Sequence, residues 1–274
     1  MFETFFETVS STIFELVPTA AFFIVLAIII KRDKVLLGLK AARREIGTNL
    51  GLLLFNTLVA IPLVALPVGM VRDTINHFAV LAAFWESLPK GATLVAAIVI
   101  IDFTAYSRHR LEHSPELWRI HATHHADEAM NWLTLHRKHP FGEVLSLFVD
   151  LALVILLGLP AWAIVGAVMI RSSWGYLIHA DVPWTLGLLG KVLISPAAHR
   201  LHHIRDEQLM GANFGNTITL WDKLFGTYVD PAPYVDCETG IAEDTRDVAG
   251  ELWRPFEARY RRRSNTDLAA EPAE

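Results

Sequence analysis

The sequence predicts an all-α, multi-pass transmembrane helical protein with about three spans plus a helical hairpin and a helical cap on the cytoplasmic side. Three observations lead there. Hydrophobic residues make up 53% and charged residues only 19% of the 274-residue chain, and the mean hydropathy is +0.35, on the membrane side of globular usage. Apolar runs near bilayer-crossing length recur along the first two thirds. Basic residues crowd one of the segments between those runs.

A helix rising ~1.5 Å per residue needs ~20 residues to cross ~30 Å of hydrocarbon. The runs 12–30, 49–70 and 91–106 meet or approach that length. The third is short but continues through Tyr106 toward polar residues that can reach water. The opening "MFETFFETVSS" carries two glutamates and no basic residue, unlike the start of a secretory signal, so the first run is expected to remain in the mature protein. Lys31, Arg32, Lys34, Lys40, Arg43 and Arg44 fill the first connecting segment, against Arg72 and Lys90 in the second. The positive-inside bias then puts that first loop in the cytoplasm, the N-terminus outside, and the end of the third span back at the cytoplasmic face.

Residues 144–170 are too long for one crossing and too short for two, and Gly158-Leu159-Pro160 at their middle predicts a hairpin turn. A hairpin returns the chain to the side it left, so groups before and after it can meet. Residues 182–195 read as a shallow interfacial segment. From 229 onward proline and charge dominate, and 261–274 reads as a frayed polar tail.

The formal charge of -5 provides no concentrated basic face, so no nucleic-acid partner is expected. Cys237 is the only cysteine, which excludes an internal disulfide, a four-cysteine iron–sulfur cluster and a cysteine-rich zinc site. Any metal must be held by nitrogen or oxygen.

The histidines are grouped. "HRLEHSPELWRIHATHH" at 109–125 holds five of the twelve, and "HRLHH" follows at 199–203. His109 and His113 are four apart; His121, His124 and His125 follow the spacing 0, 3, 4, and His199, His202 and His203 repeat it. Residues three or four apart share a helix face, so each group projects two or three imidazoles to one side. Eight nitrogen ligands are too many for one tetrahedral zinc and suit two adjacent metals. Imidazole suits iron, copper, zinc and nickel over magnesium and calcium. His77 stands alone and reads as a hydrogen-bonded structural residue.

"HRLEH" at 109, "HATHH" at 121 and "HRLHH" at 199 resemble the HxxxH, HxxHH, HxxHH pattern of the fatty acid hydroxylase / sterol desaturase superfamily of membrane di-iron enzymes. The flanking "DFTAYSRHR", "HHADEAMNWLTLHRKHPFGE" and "NFGNTITLWDKLFGTY" agree with it, and the resemblance covers roughly 91–230. It implies an N-terminal transmembrane region at 1–90, a hydroxylase-like catalytic domain at 91–230 and a polar C-terminal tail at 231–274. It implies metal ligation by His109, His113, His121, His124, His125, His199, His202 and His203. His179 in "IHADVPW" occupies the place of a further family ligand, with Asp181 where asparagine is frequent; His139 in "RKHPFGE" matches a family element as a ligand or a ligand's neighbour. His136 reads as polar surface.

Ligating imidazoles are oriented by acceptors for their other N–H. Asp102, seven residues before His109, is placed to be one; Asp127, Asn131, Glu143, Asp206 and Asn213 are lesser candidates. The implied cofactors are two iron ions with O2 as co-substrate, and the implied reaction is hydroxylation or desaturation of a membrane lipid, such as a fatty acyl chain or sterol. The chain has no CxxCH and no GxGxxG opening a helix after a strand, so electrons must come from an external donor, a ferredoxin or a cytochrome b5-like protein with its reductase. Arg108, Arg110, Arg119, Arg137 and Lys138 could steer such a donor or anchor the chain at lipid headgroups. A bacterial inner membrane and an endoplasmic-reticulum membrane both suit this reading. A zinc hydrolase lacks its HExxH here, a carboxylate-bridged di-iron protein lacks its Glu-x-x-His pairs, and a metal transporter would bind near the bilayer midplane.

Overall fold

A computed structural model of the chain describes residues 2–63, 79–243 and 245–260. His77, the end of the 49–70 run and the 261–274 tail lie outside the described residues. Among the described residues there is no extended strand, only three isolated bridges such as Leu193 with Ile218, and the fold is all-α.

The first apolar run lies inside α1 (Phe2–Lys31), whose Phe22, Ile24, Val25, Ile28 and Ile29 are exposed. Its buried Phe23 stacks on Trp132, with ring centroids 5.6 Å apart. The short α2 (Val35–Ala41) leads to α3 (Arg43–Phe55), which widens through a π-helical turn at Asn56–Ala60 and continues to Leu63. Then come α4 (Ala79–Ser87), α5 (Lys90–Glu112) and α6 (Pro115–His125), the hairpin of α7 (Pro140–Leu156) and α8 (Ala161–His179), and the short α9 (Pro196–His202), α10 (Leu220–Leu224) and α11 (Val248–Trp253). Three helices among the described residues are long and apolar enough to cross a membrane: Arg43–Leu63, Lys90–Glu112 and Ala161–His179.

The hairpin turn falls where the sequence places it. Gly158 has φ 61°, a left-handed conformation that favours glycine, and a Cβ there would meet the Leu81 side chain at 3.0 Å. The Trp85 indole donates to the Leu157 carbonyl at 2.8 Å, so α4 holds the turn. The two arms run longer than the apolar stretch 144–170, one starting at Pro140 and the other ending at His179. The third span does the same: α5 passes Tyr106 and stays helical to Glu112. Ala97, Ala163 and Ala167 are fully buried where α5 and the hairpin meet; small residues allow such close approach between apolar helices. The stretch 182–195 holds only a single turn at Leu189–Lys191, with Leu188, Leu189 and Val192 exposed.

Contacts cross both of the expected domain boundaries and converge on Arg137, which is fully buried. Its guanidinium donates to Glu45 and Asn49 of α3 at 2.7 and 3.1 Å. It also donates to Thr245 and to Glu251 of α11, both at 2.8 Å, and to the Thr123 carbonyl of α6 at 2.8 Å. Arg254 pairs with the same Glu251. Five donors fully used leave no charge uncompensated, whereas deleting one member of such a buried network is costly. Arg137→Ala is expected to lower stability by about 3–5 kcal/mol, read as a lower melting temperature of the detergent-solubilised protein. An unchanged melt would show that the network is dispensable.

Candidate metal centre

All nine histidines singled out by spacing and resemblance come together at the end of the helical bundle. They form two groups: His109, His113, His121, His125 and His202 in one, His124, His179, His199 and His203 in the other, with the ring nitrogens of each group within 4.8 Å of one another. The spacing explains the division. His121 and His125, four apart on α6, enter the first group, while His124 between them enters the second. His199 and His203 enter the second and His202 the first. Each HxxHH box is therefore shared between both groups. The His125 and His203 rings stack across the boundary, centroids 4.3 Å apart.

Four backbone carbonyls fix the tautomers. His109 donates Nδ1–H to Phe214 at 2.8 Å, His202 to Ala212 at 2.7 Å, His124 to Arg137 at 3.2 Å and His179 to Gly175 at 2.7 Å. With the proton on Nδ1, each Nε2 carries a lone pair. Yet Nε2 of His109 faces Nε2 of His202 at 2.9 Å, and Nε2 of His124 faces that of His179 at 3.4 Å. Neither pair can be a hydrogen bond between neutral rings. Burial pushes His202 down to about 4 and His124 well below the ordinary imidazole value, so neither is cationic at neutral pH. Two nitrogens ~2.1 Å from one ion and at right angles to each other stand ~3.0 Å apart, and each group holds such a pair, His109 with His202 at 2.9 Å in one and His179 with His199 at 2.9 Å in the other. Both ring nitrogens of His203, with His121 Nε2, His125 Nδ1 and His199 Nδ1, are buried without hydrogen-bond partners. Buried polar atoms are seldom left so, and the donor set fits two imidazole-bound metal ions.

The carbonyls are themselves held. Asp222 accepts from the amides of Phe214 and Gly215 at 2.7 and 2.9 Å and from the Thr227 hydroxyl at 2.7 Å. A Cβ on Gly215 would come within 2.8 Å of both the Asp222 carboxylate and the Ile218 carbonyl. Glu112 lies 3.5 Å from His121 Nδ1 and accepts from Arg108 at 2.8 Å. Arg108 in turn grips Asp150 of α7 through two bonds at 2.9 and 3.2 Å. Glu112 and Asp222 were missed in the sequence, and Arg137 was read only as a surface charge. For Glu112 the signal was its place inside the "HRLEH" box, and for the other two their place in the family-like stretches that follow the second and third boxes.

The structure corrects several expectations. His139 joins neither group: Nδ1 accepts from the Phe141 amide and Nε2 donates to Leu252, both at 3.2 Å. Asp102 orients no imidazole; it accepts from the Thr217 and Ile218 amides and the Trp221 indole, pinning the loop after the third box to α5. Asn131 caps the turn at Trp132–His136, and Asp181 is a half-exposed partner of Lys31 and Arg200. Asn213, with φ 53°, acts at one remove: it bonds Val229 in both directions and so sets its neighbours Ala212 and Phe214, whose carbonyls receive His202 and His109. His136 is only partly exposed and bonds the Tyr176 hydroxyl at 2.8 Å. Arg108 and Arg137 are buried, while Arg110 and Arg119 remain exposed.

A cavity of about 330 Å³ ends on His109, His121, His124, His179 and His199, and is walled further along by Leu16 of α1 and by Leu53 and Ile61 of the α3 span. It opens the histidine groups to the interior of the helical bundle.

Residues 94–227, the stretch that carries all three histidine boxes, match the family described as fatty acid hydroxylase. The chain is 29% identical to the ornithine lipid hydroxylase OlsE of Rhizobium tropici over 184 residues, 65% of this chain and 55% of that protein. It is 32% identical to human alkylglycerol monooxygenase over 139 residues, 50% of this chain and 30% of that protein. A very-long-chain aldehyde decarbonylase of Oryza sativa subsp. indica is 29% identical over 182 residues, 60% of this chain and 27% of that protein. The chain thus spans about half the length of the first of these and less than a third of the other two. No solved structure matches it.

Acid should loosen the metal-free centre. His202 and His136 are both held near 4 by burial, below the unfolded value of about 6.5. Their contribution to stability is present in full above pH ~6.5 and is lost as pH falls toward 4, because only the unfolded chain takes up protons in that window. Melts of metal-free protein between pH 7 and pH 4 should show the melting temperature falling throughout, less steeply in His202→Phe. A flat profile would contradict the burial argument.

Proposed function

We propose that this chain is a membrane-bound, non-haem di-iron oxygenase that uses O2 and external electrons to hydroxylate or desaturate a lipid. The carrying observation is the pair of tautomer-locked histidine groups at the end of a cavity that runs between membrane helices. His109, His113, His121, His125 and His202 would hold one iron, and His124, His179, His199 and His203 the other. When bound, the two irons would supply the oxidising chemistry that no side chain can, the O2-dependent attack on an unactivated C–H bond.

The chain's own residues do the rest. The carbonyls of Phe214, Ala212, Arg137 and Gly175 hold four rings in the ligating orientation, which spares reorganisation when metal enters. Glu112 places negative charge behind His121, offsetting part of the charge that neutral imidazoles leave on a metal pair. Leu16, Leu53 and Ile61 give the cavity an apolar wall suited to a hydrocarbon chain. The names of the relatives support a lipid substrate, one being a hydroxylase of ornithine lipid and another a monooxygenase of alkylglycerol.

The positive-inside bias supports a cytoplasmic face for the centre, where the exposed Arg110 and Arg119 would meet an acidic ferredoxin or cytochrome b5-like donor. Membranes holding the chain, with ferredoxin, its reductase and lipid extract, should consume O2 and yield a lipid product heavier by one oxygen or lighter by two hydrogens. His124→Ala should abolish both. Metal movement without product would favour a transporter, and metal-dependent hydrolysis a zinc enzyme. With Cys237→Ser as background, a cysteine replacing Arg119 should react with a membrane-impermeant maleimide only after the cytoplasmic face is opened; labelling of intact cells would reverse the topology.

A further inference from the structure

Five charged side chains line the cavity beside the histidines: Arg108, Glu112, Lys138, Glu143 and Arg171. Arg108 is occupied by Glu112 and Asp150, and Lys138 pairs with Glu143 at 3.2 Å. Arg171 differs: its Nε is buried with no hydrogen-bond partner, and no carboxylate among the described residues pairs with it. Asp150, Asp102 and Glu112 lie near enough to act on its charge, but their hydrogen bonds go elsewhere. Both Asp150 oxygens accept from Arg108, both Asp102 oxygens accept from the Thr217–Trp221 segment, and Glu112 is held between Arg108 and His121.

Arg171 lies in a membrane-crossing helix, eight residues before His179 and so ~12 Å along α8 from it. Its carbonyl accepts from Asn216 at 3.2 Å, which keeps the Phe214–Asn216 loop beside it. A cation within a span is expensive to keep and faces a cavity or a partner. A guanidinium fork matches the oxygens of a carboxylate or phosphate. Leu16, Leu53 and Ile61 line the same cavity as Arg171, so it offers both an apolar wall and a cation to one lipid.

Resting on the oxygenase reading, we propose that Arg171 anchors an anionic oxygen group, a carboxylate or phosphate, on the lipid substrate, so that the bond oxidised lies near the polar end of the molecule and not in mid-chain. Arg171 is then a specificity-determining residue, and uncharged lipids of the same length bind less well.

The test is calorimetric titration of the full chain, purified in a neutral detergent, with N-dodecanoylglycine, its methyl ester, dodecyl phosphate and inorganic phosphate, with and without metal. Both anionic amphiphiles should bind about tenfold or more tightly than the ester, a difference of ~1.4 kcal/mol. Arg171→Gln should remove that preference with the ester affinity unchanged, and Arg171→Lys should keep part of it. The proposal is overturned if the ester binds as tightly as the acid, if Arg171→Gln keeps the preference, or if inorganic phosphate binds as tightly as dodecyl phosphate. A purely structural Arg171 would weaken all ligands alike, which also overturns it. The two readings fail separately. An anion preference without O2 consumption sinks the oxygenase and leaves the anchor, whereas O2-dependent turnover without the preference sinks the anchor alone.

Discussion

Four hydrogen bonds from imidazole Nδ1–H to backbone carbonyls decide what this protein can be. They leave the lone pairs of His109 and His202, and of His124 and His179, directed at each other across 2.9 and 3.4 Å, an arrangement that neutral rings tolerate only around a shared cation. The carbonyls come from three separate segments, at Arg137, at Gly175 and at Ala212 and Phe214. Much of the fold can be understood as the means of delivering them. The α7–α8 hairpin brings Gly175 back to the level of α6, and Asp222 and Asn213 shape the loop that presents Ala212 and Phe214.

Arg137 links this local constraint to the whole chain. Its carbonyl sets His124, while its guanidinium gathers α3 and the segment after 244. Residues outside the matched 94–227 segment therefore bear on the orientation of His124 within it. Two buried arginines, Arg108 and Arg137, lie next to residues that contact the two histidine groups, with carboxylates satisfying both. Fully satisfied buried networks of this kind hold geometry tightly, and tight geometry is what two neighbouring metal sites demand.

Much of this was legible in the sequence, for reasons of period and length. The hairpin turn at Gly158, the helices and eight of the converging histidines follow from apolar run length and from 3.6-residue periodicity, which act locally; His179 was legible only through the family resemblance. The division of each HxxHH box between two groups was not legible. Spacing shows that His121, His124 and His125 leave one side of a helix, yet which ion each meets depends on where α9 lands. The acceptors were misjudged for the same reason. Asp102 shares a face with His109 on α5, but the amides of 217 and 218 reach it first. Arg137 and Asp181 exchanged their expected characters: the arginine read as surface is buried among partners far off in the chain, and the aspartate read as part of the site is exposed.

The most direct test of the central claim is metal analysis and Mössbauer spectroscopy of the detergent-purified chain, alongside His202→Ala and His199→Ala, one variant for each group. The account predicts about two irons per chain in a coupled pair, with the coupling lost and no more than about one iron left in either variant. A single zinc, or two ions retained in both variants, would contradict it.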